Sequence, residues 1–320
     1  MDRYFVMKNS AEYALMAADV RLNRVMHAYL IVSPDGGMAD ALCDLFLSLC
    51  VFGNADKESV SRVKTLSADI MRLPHGDKVL TSDVEELTET VYFTPTELDR
   101  KYYVIDKCDT MNETCQNKLL KILEEPPSSV IILLKCMSAA SLLPTVLSRV
   151  KRVDVKPLTE SAVTEYLSGI SGDETAVYLA AALSQGYLFK GEKVLAEPKY
   201  KEIFALTLDM LKNMKTSREV LRFSARISAL KDNLADFIDV TELVLADCMA
   251  ASEGVREGLK FKNAVRDIIT ISNEYDCDTV LRIMPHLAHA RRRLKLNGNP
   301  QSVLDELLFS LLEVKAKCRR

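Results

Sequence analysis

The chain has 320 residues, of which 48% are hydrophobic and 27% charged, with a formal net charge of -3. That length accommodates two or three domains with sizeable cores, and the composition is ordinary for a globular protein. The slightly negative balance gives no support to a generally basic nucleic-acid binder, so any DNA contact must come from a local patch.

No charged, apolar, small-residue leader is read over Met1–Met16. The longest apolar run, Ala176–Leu183, is too short to span a bilayer. The expectation is a cytoplasmic protein without a membrane partner. Cys43, Cys50, Cys108, Cys115, Cys136, Cys248, Cys277 and Cys318 form no CxxC pair. In a reducing compartment they read as small buried hydrophobes.

In chain order, Tyr4–Val25 has helical spacing of apolar residues and Ala28–Val32 reads as a short strand. A helix follows through Ala39–Cys50. Tyr102–Ile105 and Val130–Leu134 read as buried strands bounded by polar turns. Between them Asn112–Leu123 has a helical period and stops before Pro126-Pro127, which cannot continue it. Strands alternating with helices imply a parallel sheet covered on both faces.

From about Leu158 the strand signal disappears. Ile203, Leu206, Met210, Leu211 and Met214 share one helical face, as do Val303, Leu304, Leu307, Leu308, Leu311 and Leu312. Asn299-Pro300 supplies a capping side chain and a first-turn proline for the last segment. With boundaries placed near Lys156-Pro157 and Glu197-Pro198, the expected domains are 1–157, 158–198 and 199–320: one α/β domain, a small helical unit and a larger helical domain.

The stretches LKILEEPP (Leu120–Pro127) and LLPTVLSRV (Leu142–Val150), with VIILL between them, resemble the clamp-loader branch of the AAA+ ATPases. ARRRLKLNGNPQSVLDELL (Ala290–Leu308) is similar to the collar-domain ending of the delta-prime members of that branch. The resemblance spans most of the chain in the right order. It implies a P-loop-type parallel sheet domain, a helical lid and a C-terminal helical collar for oligomerisation. The partners it implies are gamma/tau and delta clamp-loader subunits, with the sliding clamp and primed DNA reached through the complex.

The family's ATP chemistry is broken at several positions. Ser33-Pro34-Asp35-Gly36-Gly37-Met38-Ala39-Asp40 occupies the place of the P-loop, GxxxxGK[ST]. Pro34 and Gly36 match the family, but Ala39 stands where the phosphate-binding lysine belongs and Asp40 where a hydroxyl would ligate Mg²⁺. Asp35 and Asp40 put negative charge where a triphosphate would sit. Two carboxylates without lysine or metal outweigh the roughly 0.3–1 kcal/mol an exposed helix N-terminus offers an anion. Where the family carries Asp-Glu after a core strand, this chain has Asp106-Lys107, and Lys107 is no general base at neutral pH. The sensor position holds Lys135-Cys136, and the lid segment Ser184–Lys193 lacks the second sensor arginine.

Ser148-Arg149 keeps the core of the family's SRC motif, although Val150 replaces its last residue. The resemblance implies that Arg149, with Ser148 beside it, reaches a neighbouring subunit's ATP in trans. A guanidinium suits bidentate phosphate contact as lysine does not.

The family's four-cysteine zinc module is expected to be absent. Cys50 stands at its first position, but Ser61, Lys64 and Ser67 occupy the others. His27, His75, His286 and His289 are scattered, and Arg291-Arg292-Arg293 with Lys295 is read as part of the collar rather than as a DNA patch. The leading expectation is a subunit with no intrinsic activity and neither ATP nor zinc as cofactor. The alternatives are an active gamma/tau-like ATPase and a structural adaptor outside a clamp loader.

Overall fold

The computed structural model describes residues 2–65, 68–230 and 233–318. They divide into two compact units, Met1–Leu158 with Tyr187–Phe189, and Thr159–Gly186 with Lys190–Arg320.

The first unit opens with α1 (Arg3–Lys8) and α2 (Ala11–Arg21) in place of the single helical stretch expected over Tyr4–Val25. The break has a local cause. Ser10 caps a new helix, its hydroxyl accepting from the Tyr13 N–H at 3.1 Å. Then follow β1 (Ala28–Val32), α3 (Gly36–Phe52), α4 (Lys57–Thr65), β2 (Ile70–Leu73), α5 (Thr81–Thr90) and β3 (Lys101–Ile105). The unit continues with α6 (Glu113–Glu124), β4 (Val130–Cys136), α7 (Pro144–Leu147) and β5 (Lys151–Asp154). The five strands pair in the order β2-β3-β4-β1-β5, and every pairing is parallel.

Strand alternation sorts the side chains onto two faces. Ala28, Leu30 and Val32 of β1, Tyr103 and Ile105 of β3, and Ile132 and Leu134 of β4 join one core with Val84, Leu87, Leu119 and Ile122 from α5 and α6. The in-between residues face the other way, toward α3, where Tyr29 packs its ring 4.9 Å from that of Phe46. Arg72, Asp106 and Lys135 share that register. Asp40 and Asp44, one helical turn apart, stand opposite them on α3. The polar side chains of the sheet therefore meet the carboxylates of α3 on one face.

Among the described residues the regular elements of the second unit are all helices: α8 (Glu160–Ser168), α9 (Glu174–Ser184), α10 (Leu188–Ala196), α11 (Lys199–Asn213), α12 (Ser217–Ser228), α13 (Leu234–Ser252), α14 (Val265–Ser272), α15 (Cys277–Lys295) and α16 (Pro300–Cys318). Leu188 and Phe189, at the start of α10, cluster with the first unit. The apolar faces read from the sequence are buried on α11 and α16, except that Leu312 is half-buried. Asn299 caps α16 by accepting from the Ser302 N–H at 3.0 Å. The fold class is thus a parallel α/β domain joined to helices, as the sequence implies. Among the described residues no single helix is long and apolar enough to cross a membrane.

Candidate functional site

The turn after β1 is built by its own side chains. Ser33, 1% exposed, donates its hydroxyl to the Asp35 carbonyl at 2.8 Å and accepts from the Asp35 N–H at 3.1 Å. Gly36 opens α3 directly after this turn, and Asp35 caps it: Oδ1 accepts from the Met38 N–H at 3.1 Å. The other oxygen, Oδ2, accepts from the Phe189 N–H at 2.8 Å. The Phe189 ring lies against Gly37 so closely that a Cβ at that position would fall 2.6 Å from Cδ2 of the ring. Only glycine fits beneath it. A helix N-terminus is a ready anion site, and here the anion is the protein's own carboxylate.

A second self-pairing lies beside the first. Lys135 is 4% exposed inside β4, and a buried ammonium needs partners. Its Nζ pairs with Asp40 Oδ1 and lies 3.5 Å from Asp106 Oδ1. Burial alone lowers the Lys135 pKa. The negative charge of Asp40 and Asp106 outweighs it, so the group stays charged with a pKa above the ordinary lysine value. Asp106 also accepts from the Lys107 N–H at 2.8 Å, while Lys107 takes a left-handed backbone at φ 51° and its Nζ lies 3.6 Å from Asp77. Along the same face Asp44 pairs with Arg72 at 2.9 Å and with Lys64 at 3.5 Å. A hollow of about 440 Å³ opens over this network, bordered by Arg3, Tyr4, Asp40, Asp44, Arg72 and Asp106.

These residues do not fit a magnesium-bound triphosphate. The α3 N-terminus is taken by Asp35 and overlaid by Phe189, Ala39 is buried with no amine to offer, and an ammonium holds the two carboxylates a metal would use. The expectation that Asp35 and Asp40 stand uncompensated is corrected by this geometry. Asp40 is paired with Lys135, and Asp35 accepts from the backbone N–H groups of Met38 and Phe189, so occupancy rather than bare repulsion defines the site.

Ser148 and Arg149 lie elsewhere, between α7 and the start of β5. The Arg149 Nη1 donates to the Thr145 carbonyl at 2.9 Å and to Ser148 Oγ at 3.2 Å. Nη2 lies 2.8 Å from Glu124 Oε1, and about a third of the side chain is open to solvent. The predicted residues thus separate into two groups. Ser33, Gly36, Ala39, Asp40, Asp106 and Lys107 gather where β1, β3 and β4 end, whereas Ser148 and Arg149 stand where β5 begins.

Residues 8–159 match the family model for DNA polymerase III, delta subunit. The delta' subunit of DNA polymerase III from Bacillus subtilis is 22% identical over 312 residues, covering 93% of this chain and 94% of the relative. Over the matched residues, just under half of the chain, it is similar to subunits of DNA polymerase III. The tau/gamma subunit from Haemophilus influenzae is 28% identical over 176 residues, 52% of this chain and 26% of that protein. Among solved structures, a gamma subunit-related protein from Thermotoga maritima aligns with 94% of this chain and 99% of its own at 17% identity and a TM-score of 0.46.

Cys43 is fully buried, and burial pushes its thiol up to about 12, as it does for Cys50 and Cys248. Ser61 and Lys64 are exposed on α4, and Lys64 is engaged by Tyr4; Ser67 lies outside the described residues. Among the described residues no three His, Cys, Asp or Glu side chains come together as a metal site. Arg291 pairs with Asp239 at 2.6 Å and with Glu242 at 2.5 Å, and Arg293 pairs with Glu306. The arginine run is therefore largely engaged inside its own unit. His286 and His289 are exposed on α15.

Sequence reading missed what Lys135 gains and what Phe189 covers. The signal for the first was present, because a lysine in the otherwise apolar run VIILLKC must find counter-charges. No local signal marks Phe189.

Proposed function

We propose that the chain is a non-hydrolysing, delta-prime-type subunit of the bacterial DNA polymerase III clamp loader, working in the cytoplasm. It assembles with gamma/tau and delta subunits, and through the complex it serves ATP-dependent loading of the sliding clamp onto primed DNA. It uses neither ATP nor zinc of its own. The observation that carries this reading is the Lys135 ammonium placed between Asp40 and Asp106. A fixed cation there leaves no coordination for Mg²⁺, and metal bridging of the phosphates is the part of phosphoryl transfer the protein cannot replace. The same pairing speaks against an active gamma/tau-like ATPase.

The outward contribution is Arg149. A guanidinium that is one-third exposed, with an Nε–H that no described residue accepts, has a donor to offer a phosphate on a neighbour. Supplied in trans, such a group stabilises charge at the transferring phosphoryl; in GTPases the comparable gain is roughly 10³–10⁵ in rate.

The test is reconstitution with the cognate gamma/tau and delta subunits, comparing wild type, Arg149→Ala and Arg149→Lys in clamp- and DNA-stimulated ATP hydrolysis. The expected result is a reduced rate for both variants in a complex that still assembles. A wild-type rate in Arg149→Ala would refute the trans role.

A further inference from the structure

The two segments that carry the family resemblance meet at Arg149, and α6 grips the meeting point at both of its ends. Near the start of α6, Gln116 is 2% exposed. Its Oε1 accepts from the Leu143 N–H at 2.7 Å, and its Nε2 donates to the carbonyls of Met111 and Ser141 at 3.1 Å each. A buried amide spent on three backbone groups is costly to leave unmet, so it ties the residues entering α7 to α6. Val146 is fully buried beneath α7 and seats the helix from below.

At the last turn of α6, Glu124 sits beside the guanidinium. Its Oε1 is 2.8 Å from Nη2, while Thr145 and Ser148 hold Nη1. Three groups on two sides thus fix the plane of the guanidinium. Among the described residues the Nε–H has no hydrogen-bond partner. An arginine free in water carries much rotamer entropy, and holding it in place beforehand removes that cost from the reactive encounter. As an element of stability an exposed ion pair is worth little. Its value here is orientation.

We propose that Glu124 is the positioning residue for Arg149, fixing the guanidinium with its Nε edge outward toward the phosphate of the neighbouring subunit's nucleotide. This rests on the trans role of Arg149.

The test is a double-mutant cycle in the reconstituted clamp loader with Glu124→Ala, Glu124→Gln, Arg149→Ala and the combination Glu124→Ala/Arg149→Ala. Glu124→Ala is expected to lower kcat of the stimulated ATPase by roughly threefold to tenfold with KM for ATP and assembly unchanged. Glu124→Gln, which keeps the shape and one acceptor, should recover part of that loss. In the Arg149→Ala background Glu124→Ala should change nothing more, because a residue acting only through Arg149 is silent without it. A normal kcat for Glu124→Ala beside a slow Arg149→Ala overturns the proposal, and so does a further multiplicative loss in the combination. If Arg149→Ala itself runs at the wild-type rate, the trans reading fails instead.

Discussion

The two edges of the parallel sheet have been treated in opposite ways. Where β1, β3 and β4 end, the carboxylates are engaged inside the chain: Asp35 with the α3 N-terminus and Phe189, and Asp40 and Asp106 with Lys135. Where β5 begins, Arg149 is steadied by Glu124, Thr145 and Ser148 yet stays one-third exposed. Ligands of open parallel sheets bind outside the carboxyl ends of the strands. The edge where those ligands bind is thus self-satisfied here, and the guanidinium at the other stays partly open to solvent.

The comparison predicts opposite sensitivities. The largest stability effect should come from Asp40→Ala/Asp106→Ala, which strands a buried ammonium. Urea denaturation should show a loss of about 3 kcal/mol, the low end for breaking a buried pair because both carboxylates are partly exposed. A loss below 1 kcal/mol would mean that Lys135 relaxes into water.

That gap also has a pH signature. The Lys135 pKa is raised in the folded chain, so its stabilisation is complete below the unfolded lysine value, about 10.4, and is lost as pH rises through the folded value. The difference in melting temperature between wild type and Asp40→Ala/Asp106→Ala should therefore be constant from pH 7 to 9 and shrink above pH 10. A gap that stays constant through pH 11 would remove Lys135 from the explanation.

Asp35→Ala should cost less, about 1 kcal/mol for the lost cap of α3, while Asp35→Asn, which still accepts from Met38, should retain most of it. At the other edge, Arg149→Ala should shift stability by under about 1 kcal/mol, since its ion pair is exposed. Equal destabilisation by Arg149→Ala and Asp40→Ala/Asp106→Ala would erase the contrast between the edges.

The central strands were legible in the sequence because β1, β3 and β4 are buried on both sides and read as unbroken apolar runs. The sheet-edge strands β2 and β5 were not. They are four residues each and carry Arg72, Lys151, Arg152 and Asp154, the charged pattern of strands with one side open. The missing P-loop lysine was equally legible, since Ala39 and Asp40 occupy fixed positions in a local motif. The Lys135–Asp40 and Phe189–Asp35 contacts join residues 95 and 154 positions apart, and no local period encodes either. Lys135 read as one more lost element, and only the alternation of β4, which turns it toward α3, shows that it pairs with Asp40 and Asp106.

The most direct measurement is equilibrium binding of a fluorescent ATP analogue, with magnesium, to the isolated full-length chain. No saturable binding is expected up to roughly 1 mM, the range in which a binding free energy falls to about 4 kcal/mol. Saturable binding at micromolar analogue, lost in a variant of Asp106, would show that nucleotide displaces the Lys135 pairing and would contradict the claim that this edge of the sheet is self-satisfied.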